Sequence, residues 1–479
     1  MTERNSAAEV VSRPPEIPPA AALPFEAHDG AATVAVIGER VSRVLDDSLA
    51  SVIRRLALPA VASNLLMTVF ASVDAYWVGT RIGARGLAAV STAIFWIWMV
   101  ISLAEMVSIG LTAVAARRHG ERRSAEAARV VGEAVAFAVA LGFAVGVAGA
   151  LWVDHLFALM HTPPEVTALG RNYLRIYFLG APLIYGYFAI DASFRAAGDT
   201  RTPFALLVVS TACTLILDPV LILGLGGAPK LGIAGAAIAL VLTRGGAFLA
   251  GIVLLARRGL LRVRRVTWPT VASIARIGLP TALTGILFSL IYVALTRTTT
   301  RFGTPALAAL GLGHRVESWL YMIGVGFGAA AAAIVGQNLG AGQPARAERA
   351  GWVTLGYATG PALVAAVVAF LIPERLAGLF TNEAAVIAVA ARYLRIGAIA
   401  DLTVCAEIVL EGALGGAGYT VPPMLTSTAL TALRIPLAWW TADRWGVDGI
   451  WWTISLTAAA RGVAMVILWR AGGWKHKSV

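Results

Sequence analysis

The sequence predicts an all-α polytopic membrane protein, with twelve transmembrane helices in two pseudo-symmetric six-helix lobes. Three observations predict it. First, 58% of the residues are hydrophobic and only 14% charged, at a mean hydropathy of +0.75; a soluble chain carries about a quarter charged residues. Second, twelve apolar segments follow a polar N-terminal stretch, each long enough for a hydrocarbon core that needs roughly 20 residues. Third, the second half of the chain repeats the first at a near-constant offset.

The repeat is clearest at residues 187–203 and 407–423. Asp191, Gly198 and Pro203 recur as Glu411, Gly418 and Pro423, each 220 residues on (411 − 191). Gly83, Leu87, Ala88 and Ala89 recur as Gly303, Leu307, Ala308 and Ala309, and Gly120, Ala125 and Arg129 as Gly340, Ala345 and Arg349. Leu58-Pro59 returns one residue out of register as Leu279-Pro280, and Gly232–Gly235 returns as Gly446–Gly449 at an offset of 214. Length drift of this size belongs in loops. A single identity means little in an Ala- and Gly-rich chain, but the shared register means two copies of one unit.

Taken in order, residues 1–48 are polar and Pro/Ala-rich, a flexible tail by composition. The spans follow at 52–79, 86–116, 125–153, 166–197, 202–225, 231–256, 270–301, 306–337, 346–373, 384–416, 421–442 and 446–470. Basic residues gather at the even-numbered exits. Arg117, Arg118, Arg122 and Arg123 follow the second span, and Arg195 and Arg201 flank the end of the fourth. Arg257, Arg258, Arg262, Arg264 and Arg265 follow the sixth, Arg346 and Arg349 the eighth, and Lys475 and Lys477 the twelfth. The positive-inside rule then places both termini in the cytoplasm. Six spans per copy give both copies one orientation, a parallel repeat about an axis along the membrane normal. The domain division is a tail at 1–48, an N-lobe at 49–256, a linker at 257–269, a C-lobe at 270–470 and a short basic tail at 471–479.

The net charge of +12 and pI near 10.3 follow from that topology and do not indicate nucleic acid. Cys213 and Cys405 lie within apolar spans and say nothing about a disulfide framework. The six histidines lack metal-ligand spacing. No Gly-x-Ser-x-Gly elbow or Walker loop is present. The reading is therefore a non-enzyme without cofactor or metal. Gly324, Gly326 and Gly328 fall inside an apolar span and read as close helix packing.

An ionisable group in hydrocarbon costs at least about 2.5–3.5 kcal/mol, so such groups face a cavity or a partner. The acids within spans are Asp74, Glu105, Asp191 and Asp218 in the first lobe and Glu317, Asp401, Glu407 and Glu411 in the second. The bases are Arg244, Arg297, His314, Arg315, Arg434 and Arg461. Asp74 lies 15 residues past Pro59 (74 − 59), roughly 22 Å along a helix, and Pro59 can bend that helix. For Asp191 the competing structural reading is an i,i+4 pair with Arg195. Glu407 and Glu411 share one helical face, where two carboxylates raise each other's pKa and favour proton binding; the competing reading is a pair held by Arg434 or Arg461. A salt bridge involving His314 or Arg315 competes for Glu317. Tyr76, Trp96, Trp98, Tyr187 and Tyr292 could contact flat or cationic compounds.

These residues resemble a known family. Leu-Ala-Leu-Pro-Ala at 56–60, Val-Asp-Ala-Tyr-Trp-Val-Gly at 73–79, Phe-Arg-Ala-Ala-Gly-Asp-Thr-Arg-Thr-Pro at 194–203, Leu-Asp-Pro-Val-Leu-Ile-Leu-Gly at 217–224 and Val-Gly-Gln-Asn-Leu-Gly-Ala-Gly at 335–342 are similar to the multidrug and toxic compound extrusion (MATE) transporters, in particular their DinF-like branch. The resemblance covers about residues 50–470. It implies two lobes around a central cavity, with proton- or sodium-driven antiport of bulky, often cationic, amphipathic compounds. It places cation coupling at Asp74, beyond the helix-bending Pro59, with Asp191 and Thr214 as further polar site residues. Departures stand beside it. The seventh span holds no acid, the tenth holds Asp401, Glu407 and Glu411 in another register, and Gly415 stands where many relatives carry Arg.

The sequence reading is thus a secondary-active efflux antiporter of the cell inner membrane and a monomer. Tyr187, Glu407 and Glu411 are its substrate-cavity candidates. Its partners are small-molecule substrates, proton or sodium, and the lipid bilayer. The alternatives are a lipid-linked precursor flippase of the same superfamily, against which the span count and the intramembrane acids argue, and a non-transporting membrane scaffold.

Overall fold

The structure is a computed structural model that describes residues 43–81, 84–159, 164–262 and 265–477, apart from the side chains of 70–92, 94, 95, 165, 166, 293 and 304. The expected tail lies outside the described residues as far as residue 42. The helices are α1 (Leu49–Arg81), α2 (Ala84–Gly120), α3 (Ser124–Leu159), α4 (Pro164–Leu179), α5 (Ala181–Ala196), α6 (Arg201–Leu223), α7 (Ile233–Arg257), α8 (Trp268–Thr299), α9 (Thr304–Gly340), α10 (Pro344–Leu371), α11 (Pro373–Gly378), α12 (Ala384–Ala398), α13 (Asp401–Gly416), α14 (Val421–Ala432), α15 (Arg434–Trp445) and α16 (Val447–Ala471). No strand occurs among the described residues.

Nine of these helices are individually long and apolar enough to cross a membrane, and the bent pair α4–α5 makes a tenth span. The broken pairs α12–α13 and α14–α15 lie where the sequence places its tenth and eleventh spans, 384–416 and 421–442. The fourth, tenth and eleventh spans are therefore not the uninterrupted helices that their apolar runs predict, and each break has a local cause. At Gly180 the chain turns by 51°, because Pro182 offers no N–H and crowds the carbonyl four residues back. Gly142 and Gly146 of α3 pack against the exposed backbone there; a Cβ on Gly142 would come within 2.8 Å of Ala181 O. Between α12 and α13 the last bonds tighten to three-residue turns, Ala400 N to Gly397 O at 2.8 Å among them, around a glycine that weakens the helix. Between α14 and α15, Pro436 in the first turn of α15 has the same effect as Pro182.

The repeat appears directly in the packing. α2 lies along α8, and α9 lies along α1, the same contact made twice with the lobes exchanged. Val52, Ile53, Leu56 and Ala57 of α1 are buried with Phe327, Ala331 and Ile334 of the second lobe. Ile274, Ile277 and Ala282 of α8 are buried in the core of the first lobe, whereas Ile291 and Leu295 of the same helix return to the second. Each lobe's first helix thus starts in the other lobe's core and crosses over near its proline, Pro59 or Pro280. The chain entering each helix is held on the same foreign lobe. Arg346 of α10 donates to Val44 O at 3.2 Å and Asp47 O at 2.5 Å. Glu133 of α3 accepts from Thr267 N at 3.1 Å and Thr267 Oγ1 at 2.6 Å.

Pro59 leaves the Arg55 carbonyl without its helical donor. Thr200 Oγ1, at the start of α6, makes a long bond to that carbonyl, 3.4 Å. In both first helices a hydroxyl one turn on bonds the proline's own carbonyl: Ser63 to Pro59 O and Thr284 to Pro280 O, each at 3.0 Å.

Candidate functional site

The ionisable groups among the spans gather into one main cluster per lobe. In the first lobe, Tyr187, Asp191 and Arg195 follow one another at four-residue intervals on α5 and share a face. Arg195 Nη1 bonds Asp191 Oδ2 at 2.6 Å, with the two side chains 22% and 23% exposed. Arg195 Nη2 also donates to Ser108 Oγ on α2 at 3.0 Å. Glu105, one turn before Ser108, lies in the field of the same guanidinium. The i,i+4 pairing that competed for Asp191 in the sequence is therefore present.

Arg244 enters this cluster from α7, which packs against α5. Its Cζ lies 5.0 Å from the centroid of the Tyr187 ring, and Asp191 is within its field. The residue is 7% exposed, and its Nη1 is buried with no hydrogen-bond acceptor. Leaving a buried donor unsatisfied costs about 1–3 kcal/mol, and more when the group is charged. The ring contact returns about 2 kcal/mol when desolvated. The preceding residue, Thr243, places its Oγ1 2.7 Å from Thr214 Oγ1 on α6. Thr214 therefore stands beside the arginine-bearing helix, and no bond joins it to Asp191.

In the second lobe, Glu407 of α13 pairs with Arg461 of α16 at 3.2 Å, both side chains at most 10% exposed. Arg461 also donates to Thr431 Oγ1 at 3.2 Å. Glu411, one turn beyond Glu407, lies in the field of Glu407 and of Glu105 from the first lobe. Arg434, at the start of α15, is 1% exposed and is held by neutral acceptors: Thr457 Oγ1 at 2.7 Å, Tyr292 Oη at 3.2 Å and Ile454 O at 3.3 Å. Beside it, Tyr292 meets the His314 ring edge-on at 4.6 Å, and Glu317 accepts from Tyr393 Oη at 3.0 Å. Glu317 also pairs with His314 at 3.4 Å, as its i,i+3 spacing allows. Asp401, at the start of α13, lies in the field of Glu317.

Superposed by the repeat, the two clusters correspond residue by residue but not in charge. Tyr187 matches Glu407, Asp191 matches Glu411, and Arg195 matches Gly415, all at an offset of 220. Thr214 matches Arg434 (434 − 214 = 220), and Thr243 matches Thr457 at the later offset of 214. The Thr214–Thr243 contact and the Arg434–Thr457 bond are thus the same inter-helix link. An arginine in the middle of α7 carries little signal in the sequence; its place one turn before Ala247, the counterpart of Arg461 (461 − 214), does.

Tyr187 enters its cluster as a buried ring beneath Arg244. Not every expected residue enters one. Asp74 and Tyr76 lie on α1, with side chains outside the described residues, and Trp98 is 45% exposed. Among the described residues no group of three or more His, Cys, Asp and Glu side chains is placed to hold a metal ion.

Comparison with known proteins gives the same twofold division. The MatE family model matches twice, at residues 59–220 and 280–440, starting 221 residues apart (280 − 59) and at the prolines of the two crossing helices. The chain is 29% identical over 393 residues to the probable multidrug resistance protein YoeA of Bacillus subtilis, covering 80% of this chain and 84% of that protein. It is 26% identical over 444 residues to a probable multidrug resistance protein NorM of Thermotoga maritima, covering 89% and 93%. A solved MOP-superfamily transporter from Pyrococcus furiosus superposes with a TM-score of 0.84 at 20% identity, over 91% of this chain and 98% of that one. With the helices, the repeat and both family matches in agreement, the chain is a multi-pass membrane protein that belongs to the MatE family, the multidrug and toxic compound extrusion transporters that its motifs resemble.

Proposed function

We propose that the protein is a secondary-active multidrug efflux antiporter that exports bulky amphipathic compounds in exchange for protons or sodium by alternating access. The observation that carries this reading is an ion-paired carboxylate inside each half of a duplicated transporter fold: the half-buried Asp191 with Arg195 and the buried Glu407 with Arg461. Such a carboxylate can change partner between arginine, proton and cation, and each change alters the balance of states that a bound compound sees. The resemblance assigns coupling to Asp74, with Asp191 and Thr214 in support. Tyr187, Glu407 and Glu411 contribute to the substrate cavity. The lobes span 49–256 and 270–470, joined by a linker at 257–269, both termini face the cytoplasm, and the working unit is a monomer.

Reconstituted protein with separately imposed proton and sodium gradients tests the reading. Efflux of an amphipathic dye should follow one gradient and stop in a well-inserted Asp74→Asn variant. Dye movement that ignores both gradients, or full transport by that variant, removes antiport or the Asp74 assignment respectively.

A further inference from the structure

We propose that Arg244 is a specificity-determining residue, and that the first-lobe site takes aromatic compounds bearing a carboxylate or phosphate. The inference rests on the export reading above but concerns which compounds are bound. It follows from a comparison between the lobes. In the second lobe the arginine on the last helix, Arg461, has a carboxylate partner, Glu407. In the first lobe the position equivalent to Glu407 is Tyr187. Arg244, on that lobe's last helix, meets the ring there, its Cζ 5.0 Å from the ring centroid, and the acid in its field, Asp191, is bonded to Arg195.

Asp191, the carboxylate nearest in sequence to Tyr187, cannot supply the missing charge fully, because Arg195 already holds it at 2.6 Å. Asp191 is thus one carboxylate in the field of two guanidiniums, and it is bonded to Arg195 rather than to Arg244. Arg244 is 7% exposed, and its Nη1 has no acceptor. A guanidinium presents its donors as a planar fork that matches a carboxylate or phosphate. A ligand acid placed against Nη1 would complete in the first lobe the pair that Glu407 completes in the second. An aromatic ring attached to that acid would lie against Tyr187. A simple cation gains nothing there, since the guanidinium already occupies the ring's attraction for positive charge.

The test uses a matched pair of probes, a cationic xanthene dye with a free benzoic acid and the methyl ester of the same dye. Binding to purified full-length protein is read by fluorescence anisotropy. Wild-type protein should bind the acid more tightly than the ester. Arg244→Met and Arg244→Gln should weaken the acid by roughly tenfold to a hundredfold, the range for losing a charge-assisted bond, and leave the ester within about threefold. Arg244→Lys should retain part of the preference. Equal loss of both dyes, no loss of either, or no wild-type preference for the acid overturns the proposal. Wild-type preference is required even if every variant fails to fold. Flux in vesicles separates the two readings: discrimination in binding without gradient-driven export would sink the antiporter reading and leave the site, whereas gradient-driven export of acid and ester alike would do the reverse.

Discussion

Gly120 at the end of α2 and Gly340 at the end of α9 make one contact twice across the seam between the lobes. A Cβ on Gly120 would strike the carbonyl of Gln337, and a Cβ on Gly340 would strike the carbonyl of Arg117. Both pairs are related by the 220-residue offset (337 − 117 and 340 − 120), so the contact is isologous, as at a twofold dimer interface. Side chains as small as hydrogen let the two backbones touch.

Substituting Gly340→Val should therefore force the helices apart at this end. Overpacking of a tight contact costs about 1–3 kcal/mol, enough to shift a two-state population many-fold. A cysteine introduced at Ala341, beside the seam, should label faster with a water-soluble maleimide in Gly340→Val than in the parent. Unchanged labelling in a stably folded variant would show that the seam tolerates the methyl groups.

The Glu407–Arg461 pair gives a stability prediction. Glu407→Gln leaves a desolvated guanidinium with neutral partners, a change of about 3–5 kcal/mol for a buried pair. Glu407→Gln combined with Arg461→Met should recover most of it, because removing both charges also removes the desolvation cost. Thermal unfolding in detergent measures this. A double variant no more stable than the single one would mean that the pair is net stabilising.

Asp191 and Glu407 each face two arginines, but the Asp191 side chain is 23% exposed and that of Glu407 only 7%. Asp191→Asn should lower stability less, by about 1–2 kcal/mol given partial solvent screening, and should weaken substrate binding. Measuring the pH dependence of binding in Asp191→Asn and Asp74→Asn ranks the two acids. The dependence should vanish in Asp74→Asn and persist in Asp191→Asn. The opposite pattern would move the coupling role to Asp191.

A smaller effect is expected at Pro59. Thr200→Val removes the hydroxyl that reaches the orphaned Arg55 carbonyl. One long hydrogen bond is worth about 0.5–1.5 kcal/mol, with 3.4 Å placing it at the low end. Restoring a donor from within the helix by Pro59→Ala should make the Thr200→Val change nearly neutral. Undiminished loss in the Pro59→Ala background would show that Thr200 acts elsewhere.

Much of the architecture was legible because the repeat leaves its mark in the residues themselves. Asp191/Glu411, Gly120/Gly340 and Pro59/Pro280 announce two copies, and apolar length gives the twelve spans. The pairing of Asp191 with Arg195 follows from spacing alone. The breaks at Gly180, Ala400 and Leu433 did not stand out, since an apolar run reads the same whether straight or bent. The exchange of Ile53 and Ile277 between lobes was invisible for another reason: hydropathy says that a residue is buried, not by whom. Arg244 was visible as a basic residue in a span. Its position over Tyr187 depends on the meeting of α5 and α7, which no local pattern records.

The crossing of α1 and α8 also bears on how the chain is made. When the first lobe has been synthesised, the place that Ile274 and Ile277 will fill in its core is still vacant. Val52 and Ile53, made early, have no core to join until α9 exists. Co-translational folding one domain at a time is therefore closed to this protein. Membrane insertion can proceed span by span, but final assembly must wait for α16, whose Met465 and Trp469 share the core of Val52 and Ile53. Two half-length chains expressed separately would each lack a native filling for their core, and only their co-expression should restore it.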